Sequence, residues 1–314
     1  MRFFTKTKKP GWMAVNFLPE GMCIAHVNRP RGAKPEVTMC AKYRLDSSDS
    51  AALDKAAKDA HLARYNCTTL LGPDDYQMLL VEAPNVPPEE LKTAIRWRIK
   101  DMLDYHIDDA TVDVLDIPPD KNAAARTHSM YAIAARNEAV RGRVALFERT
   151  HTALAAIDIQ ELAQRNIASL LEQEGRGLAL LAFDAEGGLL TVSFKGELYL
   201  SRRLDVTLAQ LLDAVDEQHR AHHFERITLE LQRSLDHFDR QFHFIALSRL
   251  VVATLPEKLG LKESLSANLD VPVENVDLGD LLDFSKVPEL LQPDRQALYF
   301  HTLGAALRLE EKAL

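Results

Sequence analysis

The stretch WMAVNFLPEGMCIAHV, residues 12–27, predicts a β-hairpin near the start of the chain. Its two arms, Trp12 to Phe17 and Met22 to Val27, are mainly apolar, and the segment between them contains a proline and a glycine, which favour turns. In some folds, two strands joined by a tight turn hold the phosphates of a nucleotide. Whether this turn binds a phosphate is the first question that the sequence raises.

The segments that follow alternate between strand-like and helix-like patterns. A third strand is predicted in PEVTMCAKYRL, where Val37, Met39 and Ala41 recur at every second position, and a helix in SSDSAALDKAAKDAHLARY, which starts with capping residues. Further strands and helices come next, ending with two helices on either side of Ala156–Ile159. This alternation is typical of an α/β protein with helices packed on mixed sheets.

The second half of the chain repeats the opening plan. Residues 178–204, LALLAFDAEGGLLTVSFKGELYLSRRL, indicate two strands joined by an acidic, glycine-bearing turn, and a third strand after a Lys-Gly turn. The two glycines in Gln173–Gly177 separate this segment from a preceding helix and indicate a domain boundary. The repeated plan suggests an internally duplicated fold.

Composition and charge narrow the class of protein. A chain of 314 residues that is 46% hydrophobic can bury a sizeable core, which excludes a disordered or fibrous protein. The net charge of −8 argues against general nucleic-acid binding. Residues 1–44 nevertheless contain nine Lys and Arg against two acids, so this end is expected either to face an anionic membrane surface or to be a solvated terminus.

Cysteine usage and hydropathy favour a cytoplasmic protein. The three cysteines, Cys23, Cys40 and Cys67, form no CxxC pair and indicate neither a disulfide framework nor a zinc site. The longest apolar run, FIALSRLVVATL, is interrupted by Arg249 and is too short to span a bilayer. Any contact with a membrane is therefore expected to be peripheral or through a partner.

The two hairpin turns are the candidate cofactor-binding elements. A phosphate cradle needs glycines that let backbone N–H groups approach the anion, and usually a carboxylate that holds Mg²⁺. The second turn, FDAEGG, offers Asp184, Gly187 and Gly188, whereas the first, NFLPEG, has Asn16 in place of an acid and a bulky Leu-Pro pair. Glycines in a hairpin also serve simply as turn residues, and that alternative stays open.

Other catalytic or metal-binding patterns are not predicted. The histidines of HRAHHFER have no companion acid in a metal-ligand pattern, and surface positions on an amphipathic helix explain them better. The sequence contains no GxSxG or SxxK arrangement, so no catalytic residue is assigned.

The segment NVPPEELKTAIRWRIKDML predicts a helix with a candidate contact surface. Ile95 lies on its apolar face with other aliphatic residues, while Arg96 and Trp97 lie beside that face. An exposed tryptophan flanked by arginines marks a surface for a partner, and a tryptophan that fills a gap between subdomains is the alternative.

Across nearly its full length the chain resembles the PilM-type, actin-like proteins of type IV pilus assembly, and within them the MSHA pilus branch. The resemblance rests on the order and spacing of several segments. They are the opening hairpin, APNVPPEELKTAIRWRIKDML, DDATVDVLDI, VALFERTHTALAAIDIQELAQRN, FDAEGGLLTVSFKGELYLSRRL, LQRSLDHF, LGLKESLSANLDVPVENVDL and the terminal HTLGAALR.

The resemblance implies a two-lobed actin/Hsp70-like ATPase fold with mixed sheets and a nucleotide cleft between the lobes. Residues 1–175 are expected to form the first lobe, with a small inserted subdomain at about 86–135, and residues 176–314 the second.

The resemblance also implies a function. Such proteins are cytoplasmic scaffolds at the inner face of the inner membrane, which bind the N-terminal segment of a bitopic pilus protein of the MshJ or PilN kind and link it to the pilus motor complex. The peptide is expected between subdomains of the first lobe, near Val86–Asp116, with Ile95, Arg96 and Trp97 as candidate contacts.

All three nucleotide motifs of the family depart from the pattern here. In the first, Asn16 stands for the expected Asp, Leu18 for a Gly and Cys23 for a common Lys. In the second, Asp184 matches the expected acid but Glu186 occupies a glycine position. In the third, Arg249 and Leu250 replace a Gly-Gly pair.

These departures predict a degenerate pseudo-ATPase for which no cofactor is expected. Two alternatives are kept. One is a functional, ATP-switched assembly protein that binds Mg-ATP around Asp184, Gly187 and Gly188. The other is a cytoplasmic domain of the GspL type from type II secretion.

Overall fold

The computed structural model describes residues 8–19, 21–44, 49–120, 128–214 and 216–309. Strands and helices alternate through these ranges, and both are numbered here in chain order. The strands are β1 (Trp12–Leu18), β2 (Gly21–Asn28), β3 (Glu36–Tyr43), β4 (Asn66–Leu70), β5 (Tyr76–Glu82), β6 (Ala110–Asp116), β7 (Ser129–Arg136), β8 (Leu154–Asp158), β9 (Gly177–Phe183), β10 (Gly188–Phe194), β11 (Glu197–Leu204), β12 (Leu247–Val252) and β13 (Val273–Asn275). The helices are α1 (Asp49–Asp59), α2 (Pro88–Ile99), α3 (Asn137–Arg149), α4 (Gln160–Ala168), α5 (Leu208–Leu212), α6 (Glu217–Gln241), α7 (Leu261–Asn268), α8 (Leu278–Leu281) and α9 (Pro293–Ala306).

Two five-stranded sheets have the same plan. The first has the strand order β3-β2-β1-β4-β8 and the second β11-β10-β9-β12-β13. In each, the first three strands along the chain are joined as antiparallel neighbours, and the last two add in parallel. The predicted α/β fold with mixed sheets is confirmed, and the duplicated plan is visible in the strand order.

One strand of the first sheet has no counterpart in the sequence prediction. The residues between α3 and α4 form β8, which lies parallel to β4 with Leu70 opposite Asp158. Its sequence, LAAID, is rich in alanine and lacks the alternation that marks a half-buried strand. Parallel pairing with β4 therefore decides its conformation.

A third, small sheet has the order β5-β7-β6 and is antiparallel throughout. Helix α2 covers one face, where Ile95 and Ile99 are buried against Ala132 and Ala134. The opposite face contacts the second sheet through Tyr131, whose hydroxyl donates to the backbone oxygen of Tyr199 at 3.1 Å. The sheet also includes β5, which ends at Glu82 and so lies before the predicted insertion at about 86–135.

The two large sheets share a central core around α4 and α9. Helix α9 lies near the end of the chain but packs on the first sheet and crosses α4. At the crossing a Cβ on Gly304 would lie 2.3 Å from the backbone oxygen of Ala163, so only glycine permits this approach. Asn166 fixes the crossing by donating to the backbone oxygen of Gly304 at 3.0 Å.

The second sheet is covered on its other side by α6, a helix of 25 residues. Its buried positions Phe224, Ile227, Leu231 and Phe238 recur at helical spacing and pack on the sheet. Among the helices that the structure describes, none is long and apolar enough to cross a membrane.

Candidate functional site

The first hairpin turn lacks the features of a phosphate cradle. Asn16 is buried in β1 opposite Cys23 of β2, on the same face as Ala14. Leu18 packs against the central core, and Pro19 has no N–H to donate. The turn therefore places apolar side chains where a phosphate would need hydrogen-bond donors.

The glycines of both turns are explained by close strand packing. Gly21 and Gly187 have φ values of 152° and 144°, in the range that disfavours other residues. A Cβ on Gly21 would lie 2.3 Å from the backbone oxygen of Tyr43 in β3, and one on Gly187 would lie 2.6 Å from that of Leu204 in β11. The two glycines thus occupy equivalent places, each beneath the end of the third strand of its sheet.

Gly188 has a similar packing role. A Cβ at this position would lie 2.8 Å from a ring carbon of Phe183, the residue opposite it in the hairpin. The predicted site residues Gly187 and Gly188 are therefore both required by the hairpin itself.

Asp184 is engaged by neighbouring groups of the protein. Its Oδ1 accepts from the backbone N–H of Glu186 at 2.9 Å and of Gly187 at 3.2 Å, which closes its own turn. Its Oδ2 accepts from Nε2 of Gln160 at 3.1 Å and lies 3.5 Å from Nδ1 of His301. Both carboxylate oxygens thus stabilise the turn and the contact with α4 and α9.

His301 is buried beside this carboxylate. Burial lowers the pKa of His301 below its ordinary value, and the negative charge of Asp184 opposes that effect. The neutral imidazole is therefore favoured, because burial disfavours the charged form.

The residues at the third expected nucleotide motif also make structural contacts. Leu250 is buried in the core of the second sheet. Arg249 donates to the backbone oxygen of Leu171 at 3.0 Å and pairs with Glu274 at 2.9 Å. These two side chains occupy the positions at which the resemblance to PilM-type proteins predicts a Gly-Gly pair.

The described residues of the two hairpin turns depart from the pattern of a Mg-ATP site. The first turn has a leucine and a proline, and Asp184 of the second turn already accepts hydrogen bonds at both carboxylate oxygens. The glycines of the two turns are required by close packing of the strands. Phosphate binding relies on free backbone donors and a carboxylate available to a hydrated metal ion. The described side chains of the first turn depart from that pattern at Leu18 and Pro19, and the carboxylate of Asp184 already bonds within its own turn.

A polar network that the sequence did not predict joins the two halves of the molecule beside this cleft. Arg203 of β11 donates to Tyr76 of β5 at 2.8 Å and pairs with Glu161 of α4 at 2.9 Å. It also donates to Oε1 of Gln160 at 3.0 Å, and Tyr76 donates to Glu161. Four residues from three elements are thereby held in one arrangement.

The electrostatics of this network are consistent with its burial. Burial raises the pKa of Tyr76 well above its ordinary value, and the charge of Glu161 adds to the effect. For Arg203 burial lowers the pKa, but Tyr76 and Glu161 outweigh it, so the pKa is raised overall. The guanidinium thus stays charged and stabilises the buried carboxylate.

An apolar groove lies between the small sheet and the first sheet. It has a volume of about 610 Å³ and runs between β6 and β8, with α3 along one side. Its aliphatic lining includes Val112, Ile133, Val140, Val144, Leu154 and Ile157. Lys92 and Asp113 form an ion pair of 2.7 Å at its edge.

Both strands that border this groove are outermost in their sheets. Within the described part of the chain, β6 pairs only with β7 and β8 only with β4. Each therefore presents backbone N–H and C=O groups without a strand partner on its other side. Groove and free edges together have the properties of a site for an extended apolar peptide.

The predicted contact residues of α2 differ in their surroundings. Ile95 is fully buried against the small sheet. Arg96 donates to the backbone oxygens of Ala110 and Ile107 at 2.7 and 2.9 Å and so holds the start of β6. Trp97 is 69% exposed, with Nζ of Lys100 5.6 Å from the centre of its rings.

The histidine-rich segment is part of α6. His219, His222 and His223 lie in its first turns, where Asp216 caps the helix by accepting from the backbone N–H of His219. Within the described residues, no group of three or more His, Cys, Asp and Glu has the arrangement of a metal site.

Comparison with solved structures shows that the chain has an actin-like ATPase fold. It is similar to a structure of the PilM-PilN type IV pilus biogenesis complex, with a TM-score of 0.71 and 17% identity over 95% of this chain and 98% of that chain. No protein-family model and no curated protein matches the sequence.

Two further structures are more distant. A Bacteroides thetaiotaomicron protein with an actin-like ATPase fold gives a TM-score of 0.50 at 13% identity, over 95% of this chain and 98% of that chain. The cytoplasmic domain of EpsL, an inner membrane component of the Vibrio cholerae type II secretion system, gives 0.43 at 12% identity, over 65% of this chain and 74% of that chain. Identities this low establish the fold alone.

Proposed function

We propose that this protein is a cytoplasmic scaffold of type IV pilus biogenesis, of the MSHA type and MshI-like, which binds an extended peptide from a membrane protein. The observation that carries the proposal is the apolar groove between the free edges of β6 and β8. The fold shared with the protein of the PilM-PilN complex supports it, because that complex contains a pilus protein of the PilN kind.

The chemistry of the groove favours one mode of binding. A guest strand gains backbone hydrogen bonds from a free edge, and its alternate side chains enter apolar pockets. Val140 and Val144 of α3 and Leu154 of β8 provide such a lining. The occupant in this proposal is the apolar N-terminal segment of a bitopic inner-membrane partner of the MshJ or PilN kind, and the scaffold links that partner to the pilus motor.

Trp97 is proposed as an additional contact with the partner or the motor. Its side chain is largely exposed near the end of α2, beside Arg96 and Arg98, and it is not one of the residues that α2 buries against the small sheet. Exposed tryptophans surrounded by polar groups are enriched at protein interfaces.

The scaffold acts without nucleotide in this proposal. Gln160 donates to Asp184 and accepts from Arg203, so the chain's own side chains connect these elements. The second candidate, an ATP-switched assembly protein, would bind Mg-ATP around Asp184, Gly187 and Gly188.

The test is a calorimetric titration with a synthetic peptide from the cytoplasmic N-terminus of the pilus partner. Val144 of α3 is 37% exposed in the groove, and Leu229 of α6 is 46% exposed away from it. Val144→Glu is expected to weaken binding at least about tenfold, since a charge enters an apolar pocket. Leu229→Glu, a matched surface change, leaves the affinity unchanged.

Two results would contradict the proposal. One is the absence of saturable binding by the wild-type protein at millimolar peptide. The other is equal affinity of the wild type and Val144→Glu, provided that thermal unfolding shows the variant to be folded.

A further inference from the structure

A second groove lies on the opposite side of the small sheet, between β5 and β11. Its volume is about 510 Å³. Five consecutive residues of each strand line it, Tyr76–Leu80 of β5 and Tyr199–Arg203 of β11. Both strands are outermost in their sheets, so in the ranges that the structure describes neither pairs with another strand on the groove side. The small sheet therefore has a groove along each of its two edges.

Contacts at the two ends set the directions of the bordering strands. At one end Tyr76 of β5 accepts a hydrogen bond from Arg203 of β11. At the other, Tyr131, which lies opposite Leu80 in the small sheet, donates to the backbone oxygen of Tyr199. The strands β5 and β11 thus run in opposite directions along the groove, and Tyr131 occupies part of the groove-side backbone of β11.

The charges of this groove differ from those of the apolar groove. Arg202 is exposed, and its guanidinium forms no hydrogen bond or ion pair with a described residue. His237 adds an exposed imidazole from α6. Among the described lining residues the one acid is Glu161, which is already paired with Arg203 and Tyr76. The groove has a surplus of positive charge.

Apolar surface is also available in it. Leu80 is 44% exposed, and Met78, on the same face of β5, is half-buried. In a strand the side chains alternate between two faces, so a segment of alternating apolar and acidic residues would match both the apolar side and the cationic side.

We propose that the groove between β5 and β11 binds an extended, acidic segment of a partner protein as a strand added to the free edge of β5. Five residues at about 3.3 Å each span the lined length of either edge. The acidic side chains pair with Arg202, and apolar side chains contact Leu80 and Met78. Because β5 belongs to the small sheet and β11 to the second large sheet, the segment would bridge the two and stabilise their present arrangement.

The experiment uses a labelled synthetic peptide that alternates valine and glutamate, and a control peptide that alternates valine and lysine. The full-length protein is expected to bind the glutamate peptide in preference to the lysine peptide. Arg202→Glu should lower that affinity about tenfold, because it places like charges together. Arg233→Glu, a charge reversal at an exposed position of α6, should leave it unchanged.

Hydrogen exchange measured on the same samples locates the peptide. Amides of residues 76–80 are expected to become protected when the glutamate peptide binds, since an added strand bonds to the free edge of β5. The backbone oxygen of Tyr199 in β11 already accepts from Tyr131, so β11 contributes its side chains. Four outcomes would overturn the proposal: no saturable binding, equal affinity for both peptides, full affinity in folded Arg202→Glu, or binding without protection of the β5 edge.

Discussion

Arg308 and Asp158 form a buried ion pair of 2.6 Å that joins the end of the described chain to the end of β8. Only 8% of the arginine side chain and 1% of the aspartate side chain are exposed. Burial raises the pKa of Asp158, and the charge of Arg308 opposes this. The pair thus fixes the segment after α9 to the first sheet.

Arg308→Met should lower the free energy of unfolding by about 3–5 kcal/mol at neutral pH, because it leaves a buried carboxylate without its cation. The unpaired Asp158 would then have a still higher pKa than in the unfolded chain. The native state therefore takes up the proton first as the pH falls, and the loss should shrink toward acidic pH. Urea unfolding at several pH values measures this.

The double variant Asp158→Asn/Arg308→Met is the control for that prediction. It should be less destabilised than the sum of the two single variants, since the uncompensated charge is absent. A loss below about 1 kcal/mol for Arg308→Met would mean that the pair contributes no more than an exposed one.

Gly304→Ala should destabilise the protein by about 1–3 kcal/mol, because its Cβ would overlap the backbone of Ala163 and force α9 away from α4. Gly142 of α3 is the matched control, since a Cβ there meets nothing within 4 Å. Gly142→Ala should instead stabilise by about 0.5–1 kcal/mol. Thermal unfolding of both variants checks the pair, and equal effects would disprove the close helix crossing.

The stability of the protein should fall as the pH drops below about 6.5, because His301 has a lowered pKa in the folded state. The unfolded chain then binds the proton more readily than the native state. Stability is fully present above the unfolded pKa and is lost as the pH falls through it, by at most about 1.4 kcal/mol per pH unit for one group.

His301→Gln is expected to flatten this dependence between about pH 7.5 and about pH 5.5 without removing it. His26 and His223, whose pKa values burial also lowers, contribute to the remainder. An unchanged slope in chemical unfolding of His301→Gln would show that His301 is not the titrating group.

Mg-ATP should produce neither heat in calorimetry nor a shift in thermal unfolding. A ligand of the folded state at a hundredfold excess over its dissociation constant would stabilise it by about 2.7 kcal/mol, which is readily detected. Saturable binding that is lost in Asp184→Ala would instead support the ATP-switched alternative.

Local patterns were sufficient to predict the two hairpins and their third strands. In β1 and β2 the apolar runs flank a turn with proline and glycine, and the same logic applies to β9 and β10. Strand β8 was missed because five alanine-rich residues carry little local signal and acquire their conformation from β4.

The contacts between distant segments could not be read from the sequence. Nothing local to α9 indicates that it returns to the first sheet, and Gly304 looks like an ordinary small residue until Ala163 is beside it. The network of Tyr76, Glu161 and Arg203 likewise joins three separate elements. Free sheet edges are a property of strand order, so both grooves became visible only in three dimensions.

Binding of a partner peptide between β6 and β8 without nucleotide can be measured by hydrogen exchange of the nucleotide-free protein, with and without the N-terminal peptide of the pilus partner. New protection is expected in Ala110–Asp116 and Leu154–Asp158, as a guest strand requires. Binding that leaves both strands unprotected, or that occurs only with Mg-ATP present, would contradict this prediction.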